Sequence, residues 1–177
     1  SSAQWYEADI TKKVAAELDN QAISVMLFER QKQEYPVIFY SKESRYSPVL
    51  EIQTEEGDSY SIIPDNDTYI DSGNQSTVYG NSQLLYVQEQ SDRPESAYGV
   101  KTKRAYINFP LTQAANKTIV KAILKLRAYV SEDCTTGGKD VHIISVGDTT
   151  WSEDSFTWAS TNNIGNIYSW QSDPTGP

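Results

Sequence analysis

Ala22-Ile23-Ser24-Val25-Met26-Leu27-Phe28 is an apolar run broken only by Ser24 and ended by Glu29-Arg30. A strand that faces water on one side alternates apolar with polar residues. A run this short and this continuous fits a strand covered on both faces. The neighbouring segments agree. Val37-Ile38-Phe39-Tyr40 and Val49-Leu50-Glu51-Ile52 are short strand candidates bounded by Pro36 and Pro48. Leu84 to Gln88, Arg104 to Phe109 and Asp140 to Val146 alternate with the period of two of half-buried strands. Ile119 to Val130 alternates from Leu124 onward and reads as another strand. Only Asp9 to Leu18 has helical spacing, through Ile10, Val14 and Leu18, with Asp9 or Thr11 as its cap. Many short strands and one brief helix predict an all-β, antiparallel β-sandwich. Ile23, Val25, Leu27, Ile107, Phe109, Leu124, Leu126, Ile143 and Trp158 are its expected core.

Composition supports this class and excludes others. The chain has 177 residues, enough for one domain with a sizeable core. Twelve Tyr and four Trp, with many Val, Ile and Thr, favour β structure. Fifteen Lys and Arg against 24 Asp and Glu give a net charge of −9. A nucleic-acid binder needs a dominant basic face to release phosphate counterions, and none is visible in the sequence. One Cys, Cys134, rules out an internal disulfide, and with a single His, His142, it makes a triad or metal cluster of the usual kind improbable. No apolar run reaches the roughly 18 residues of a membrane span. No signal-peptide pattern is present, which suits a cytosolic or already processed chain. Thr135-Thr136-Gly137-Gly138-Lys139 lacks phosphate-loop spacing and reads as a hairpin turn.

Residues 65–177 resemble the DNRLRE-type module, a jelly-roll β-sandwich of secreted proteins related to carbohydrate-binding modules attached to polysaccharide lyases. The matching pieces are Asp67-Thr68-Tyr69-Ile70-Asp71, Arg104 to Phe109, Ala122 to Leu126, and the specific W-x-E-x-x-x-T-W piece Trp151 to Trp158. The pieces that should follow stand instead at the front: Trp5-Tyr6-Glu7-Ala8-Asp9-Ile10-Thr11, Ile23 to Phe28, Phe39-Tyr40-Ser41-Lys42-Glu43 and Pro48 to Ile52. The resemblance implies a permuted module. Residues 1–52 are its C-terminal-type half, residues 65–177 its N-terminal-type half, and the polar, charged stretch 53–64 a linker. The halves can close on each other, or the front of one chain can complete the back of the next. Twelve linker residues reach about 40 Å at most, which favours completion in trans. Such a head-to-tail contact propagates into filaments, with the energetics of donor-strand assembly.

The candidate sites follow from residue chemistry. Asp65, Asp67 and Asp71, beside Asn66, are a loop cluster of hard oxygens that suits Ca²⁺, though the same residues after Pro64 also suit ordinary turn chemistry. Trp5, Trp151, Trp158 and Trp170 can stack on sugar rings; Trp5 and Trp158 match family positions that favour the core, and Trp170, in a polar loop with Tyr168, is the better exposed candidate. Lys101, Lys103 and Arg104 are the only basic cluster in sequence; the resemblance implies an acidic polysaccharide such as alginate for Lys101 and Lys103, against the plain reading of a solvated strand edge. Glu153 and Asp154 adjoin, a poor arrangement for shared acid–base work. Asn66, Asn74 and Asn116 begin glycosylation sequons. Together these features predict a non-catalytic extracellular or cell-surface protein that polymerises head to tail with copies of itself. The alternative is a carbohydrate-binding module of a secreted enzyme or adhesin, with polysaccharide as its partner.

Overall fold

In the computed structural model, residues 4–31, 35–89, 101–129 and 141–161 are described. In chain order they form β1 (Trp5–Asp9), α1 (Thr11–Glu17), β2 (Ala22–Glu29), β3 (Val37–Tyr40), β4 (Val49–Thr54), β5 (Ser59–Ile62) and β6 (Asn66–Asp71). These are followed by β7 (Leu84–Val87), β8 (Lys103–Pro110), β9 (Ile119–Arg127), β10 (Val141–Val146) and the single turn α2 (Trp158–Thr161). One sheet has the order β1-β9-β4-β5 and the other β10-β2-β8-β6, with every ladder antiparallel. The pair β3–β7 is tied to both, through the bridges Phe39–Ala128 and Gln88–Lys103. The fold is the expected all-β sandwich.

The inward faces of the two sheets supply one core: Ile23, Val25 and Leu27 from β2, Ala105, Ile107 and Phe109 from β8, Leu50 and Ile52 from β4, Ala122, Leu124 and Leu126 from β9. The outward face of β2 is also covered. Met26 and Phe28 pack with Tyr106, Trp151 and Phe156, so the segment after β10 lies over that sheet. This second cluster is why the 22–28 run does not alternate. Ser24, the polar break in the run, is fully buried, and its Oγ accepts hydrogen bonds from Asn108 Nδ2 (2.9 Å) and Trp151 Nε1 (3.0 Å). A buried hydroxyl needs such partners. Ile143 and Trp158, expected in the core, are only half-buried at its margin. The helix is anchored by Asp9, whose Oδ1 accepts from the Thr11 N–H at 2.9 Å, and by Val14 buried beneath it.

The front and back of the chain interleave. β2 lies between β10 and β8, and β4 between β9 and β5, all within one chain. Within this one chain the two halves thus close on each other, the cis arrangement of the two that the motif order allows. Residues 53–64 are not a free linker. They end β4, turn through Gly57 at φ 90° and return as β5, with Ile62 buried. The turn is held by Gly57 N–H to Thr54 O (3.1 Å) and Thr54 N–H to Asp58 O (3.0 Å). The charged residues that looked like a spacer are the polar tip of a hairpin, which leaves no span to cross.

Candidate functional site

Among the described residues β1 is an edge strand paired only with β9, and its register sets Trp5 opposite Arg127, Glu7 opposite Lys125 and Asp9 opposite Ile123. Side chains two apart on a strand share a face. Leu126 and Leu124 point inward, so Trp5, Arg127, Glu7 and Lys125 stand on the outer face. Trp5 is 41% exposed, which corrects its expected core position: on the outer face of an edge strand it lies outside the inter-sheet core. The Arg127 guanidinium lies 5.9 Å from the Trp5 ring centroid and 3.6 Å from that of Tyr46, with Arg45 4.7 Å from the same Tyr46 ring. Tyr40 packs edge-on against Tyr46 (4.9 Å) and Tyr129 (5.7 Å), which props the Tyr46 ring from behind. The row Trp5–Arg127–Tyr46–Arg45 therefore alternates aromatic rings with cations.

Charge pairing distinguishes Arg127 from Lys125, its neighbour on the same face. Lys125, one step along β9, is neutralised by Glu51 at 2.8 Å and Glu7 at 3.4 Å. Arg127 makes no ion pair among the described residues, and its Nε is buried without a hydrogen-bond partner. A guanidinium held flat by rings keeps its planar fork of donors for an incoming carboxylate, and sugar C–H faces pack on aromatic rings.

A second constellation lies at the root of the loop that carries Arg45 and Tyr46. Lys42 Nζ bridges Glu43 (2.7 Å) and Glu153 (2.8 Å). The Asp67 Oδ2 accepts the Lys42 N–H at 2.7 Å, and Glu153 Oε2 accepts the Asp67 N–H at 2.9 Å. Burial alone would lower the Lys42 pKa, but its hydrogen bonds to Glu153 and Glu43 reverse that and hold it well above the usual range. Asp67 is pushed up to about 8, first by burial and then by the neighbouring Glu43 against the pull of Lys42.

The expected sites fare unevenly. Asp65, Asp67 and Asp71 are not brought together: Asp65 is exposed, Asp67 points to Glu43 and Glu153, and Asp71 accepts from Gly73 N–H (2.7 Å) and faces Lys103 (3.8 Å). Asp67 and Asp71 belong to β6 rather than to a loop. Lys103 lies 5.1 Å from the Tyr86 ring and Arg104 5.5 Å from Trp158, while Lys101 is exposed, so the three do not form one patch. Cys134, Tyr168 and Trp170 lie outside the described residues. His142 packs on Phe28 at 5.4 Å. Asn74 and Asn116 are exposed, whereas Asn66 is half-buried and its sequon residue Thr68 is fully buried. Asp154 is exposed while Glu153 turns inward. Sequence reading missed Arg45, Tyr46 and Arg127, because no short motif links a loop residue to a strand so distant in the chain.

No helix of the described residues is long and apolar enough to cross a membrane. Compared with known proteins, the chain matches the family model described as carbohydrate-binding module family 96 over residues 1–54 and 58–172. No curated protein and no solved structure matches it.

Proposed function

The chain belongs to carbohydrate-binding module family 96, and from that premise we propose that it is an extracellular, non-catalytic recognition module for a carboxylate-bearing polysaccharide. The observation that carries the reading is Arg127, stacked between Trp5 and Tyr46 and without a carboxylate of its own among the described residues. A uronate residue supplies what the row lacks: a carboxylate for the guanidinium forks and an apolar sugar face for Trp5 and Tyr46. Arg45 extends the row for the next unit of the chain.

The test is affinity electrophoresis and titration calorimetry against alginate, polygalacturonate and a neutral glucan. The acidic polymers bind and the glucan does not. A hydrogen bond to a charged group is worth about 1.5–3 kcal/mol, so Arg127→Ala weakens binding roughly 10- to 150-fold. Equal binding of the neutral glucan, or unchanged affinity in Arg127→Ala, removes the reading.

A further inference from the structure

Glu43, Asp67 and Glu153 come from the loop after β3, from β6 and from the segment after β10, yet one carboxylate oxygen of each lies within 4.8 Å of the others. We propose that these three carboxylates form a Ca²⁺ site that fastens the 41–48 loop to the sandwich. Two further observations point to a cation. Asp67 is 0% exposed and its Oδ1 has no hydrogen-bond partner, and Glu43 Oε2 beside it is likewise buried and unpartnered. Buried carboxylate oxygens left without a donor are costly unless a cation meets them. Three carboxylates surround one ammonium, Lys42, so the cluster is short of positive charge.

The spacing is compatible with Ca²⁺. Oxygens on opposite sides of Ca²⁺ stand about 4.6–5.2 Å apart, twice its ligand distance of roughly 2.3–2.6 Å, and those on the same side stand closer. The observed spread fits inside that shell. The donors are all oxygen, which suits a hard cation and not Zn²⁺. Lys42 holds Glu43 Oε1 and Glu153 Oε1 and the Asp67 N–H holds Glu153 Oε2, so Glu43 Oε2 and Asp67 Oδ1 are the open ligands and Glu153 would add an oxygen that already accepts one hydrogen bond. Glu153 is fixed in place: a Cβ at Gly80 would lie 2.5 Å from the Glu153 carbonyl oxygen, so the segment seats directly on a glycine. The site differs from the triad Asp65, Asp67 and Asp71, of which it keeps only Asp67.

The experiment uses the whole chain stripped with a chelator, titrated with CaCl₂ by calorimetry and melted across a series of free Ca²⁺, without polysaccharide, so its outcome is separate from that of the sugar reading. One Ca²⁺ binds per chain, and the melting midpoint climbs with the logarithm of free Ca²⁺. Asp67→Asn and Glu43→Gln, near-isosteric changes, each abolish the heat and the climb. Absence of both in the unmutated chain overturns the proposal. So does an equal shift with Mg²⁺, or a protonated-carboxyl infrared band that persists in Ca²⁺ and disappears in Asp67→Asn, the mark of a proton shared with Glu43.

Discussion

Cutting the chain at Gly57, in the turn between β4 and β5, divides it into residues 1–57 and 58–177, and neither piece can fold alone. The first piece carries β1 to β4, the second β5 to β10. Loss of the first removes β2 from between β10 and β8, and β4 from between β9 and β5. Ile23, Val25, Leu27, Leu50 and Ile52, all at 0% exposure, leave with it. Burying one such side chain is worth about 1.5–3 kcal/mol, so these alone account for roughly 7–15 kcal/mol. That equals the whole net stability of an ordinary domain, about 5–15 kcal/mol. Each piece is therefore expected to lack cooperative unfolding by circular dichroism and to aggregate through its unpaired edges. Mixed at equal concentration, they should form a one-to-one complex by light scattering, and the intact chain should be a monomer. A cooperatively unfolding monomer of residues 58–177 would refute the closure argument, and so would an intact chain found only as long polymers.

Leu126 is buried on the inner face of β9, and Leu126→Ala should cost about 2–5 kcal/mol in urea unfolding; a loss below about half a kcal/mol would place it outside the core. Asp67 gives the pH test. Its carboxyl titrates near 3.8 when ordinary and near 8 in the fold, so the folded state holds the extra proton between those values. In chelator, its share of stability is complete below about pH 4, falls as pH rises toward 8 and is flat above. Asp67→Asn should therefore gain on the parent chain between pH 5 and 8, by an amount on the order of a few kcal/mol; a gain that does not grow with pH would show the carboxyl ionised throughout.

Legibility followed locality. β2 was readable because an unbroken apolar run needs cover on both faces, and the second cluster around Trp151 and Phe156 provides it. β8 and β9 were readable from alternation, and α1 from Ile10 and Val14, both buried. β5 was not: Ser59-Tyr60-Ser61-Ile62 follows a charged turn, and two inward residues are too few to set a period against it. The family pattern around Trp5 points to the core, but exposure depends on whether a strand lies at an edge, and pairing order is not local information. The same holds for Asp67. Its neighbours in sequence suggested a loop of oxygens, whereas its partners Glu43 and Glu153 come from elsewhere in the chain.

The recognition row is itself a consequence of closure. Trp5, Arg45 and Tyr46 belong to the front of the chain and Arg127 to β9, so neither fragment of a chain cut at Gly57 holds all four. The β1–β9 register sets Trp5 beside Arg127, and the Phe39–Ala128 bridge brings the end of β3, and the loop that follows it, to the same end of β9. Tyr46 is then held over the guanidinium by that loop, whose root is fixed where Lys42 meets Asp67, Glu43 and Glu153. Binding and folding thus draw on the same contacts between front and back. Either fragment alone should fail to retard on an alginate gel, and the reassembled pair should regain the affinity of the intact chain, because reassociation rebuilds the row. Binding by residues 58–177 alone would move the sugar site off Trp5 and Tyr46 and onto the back of the chain.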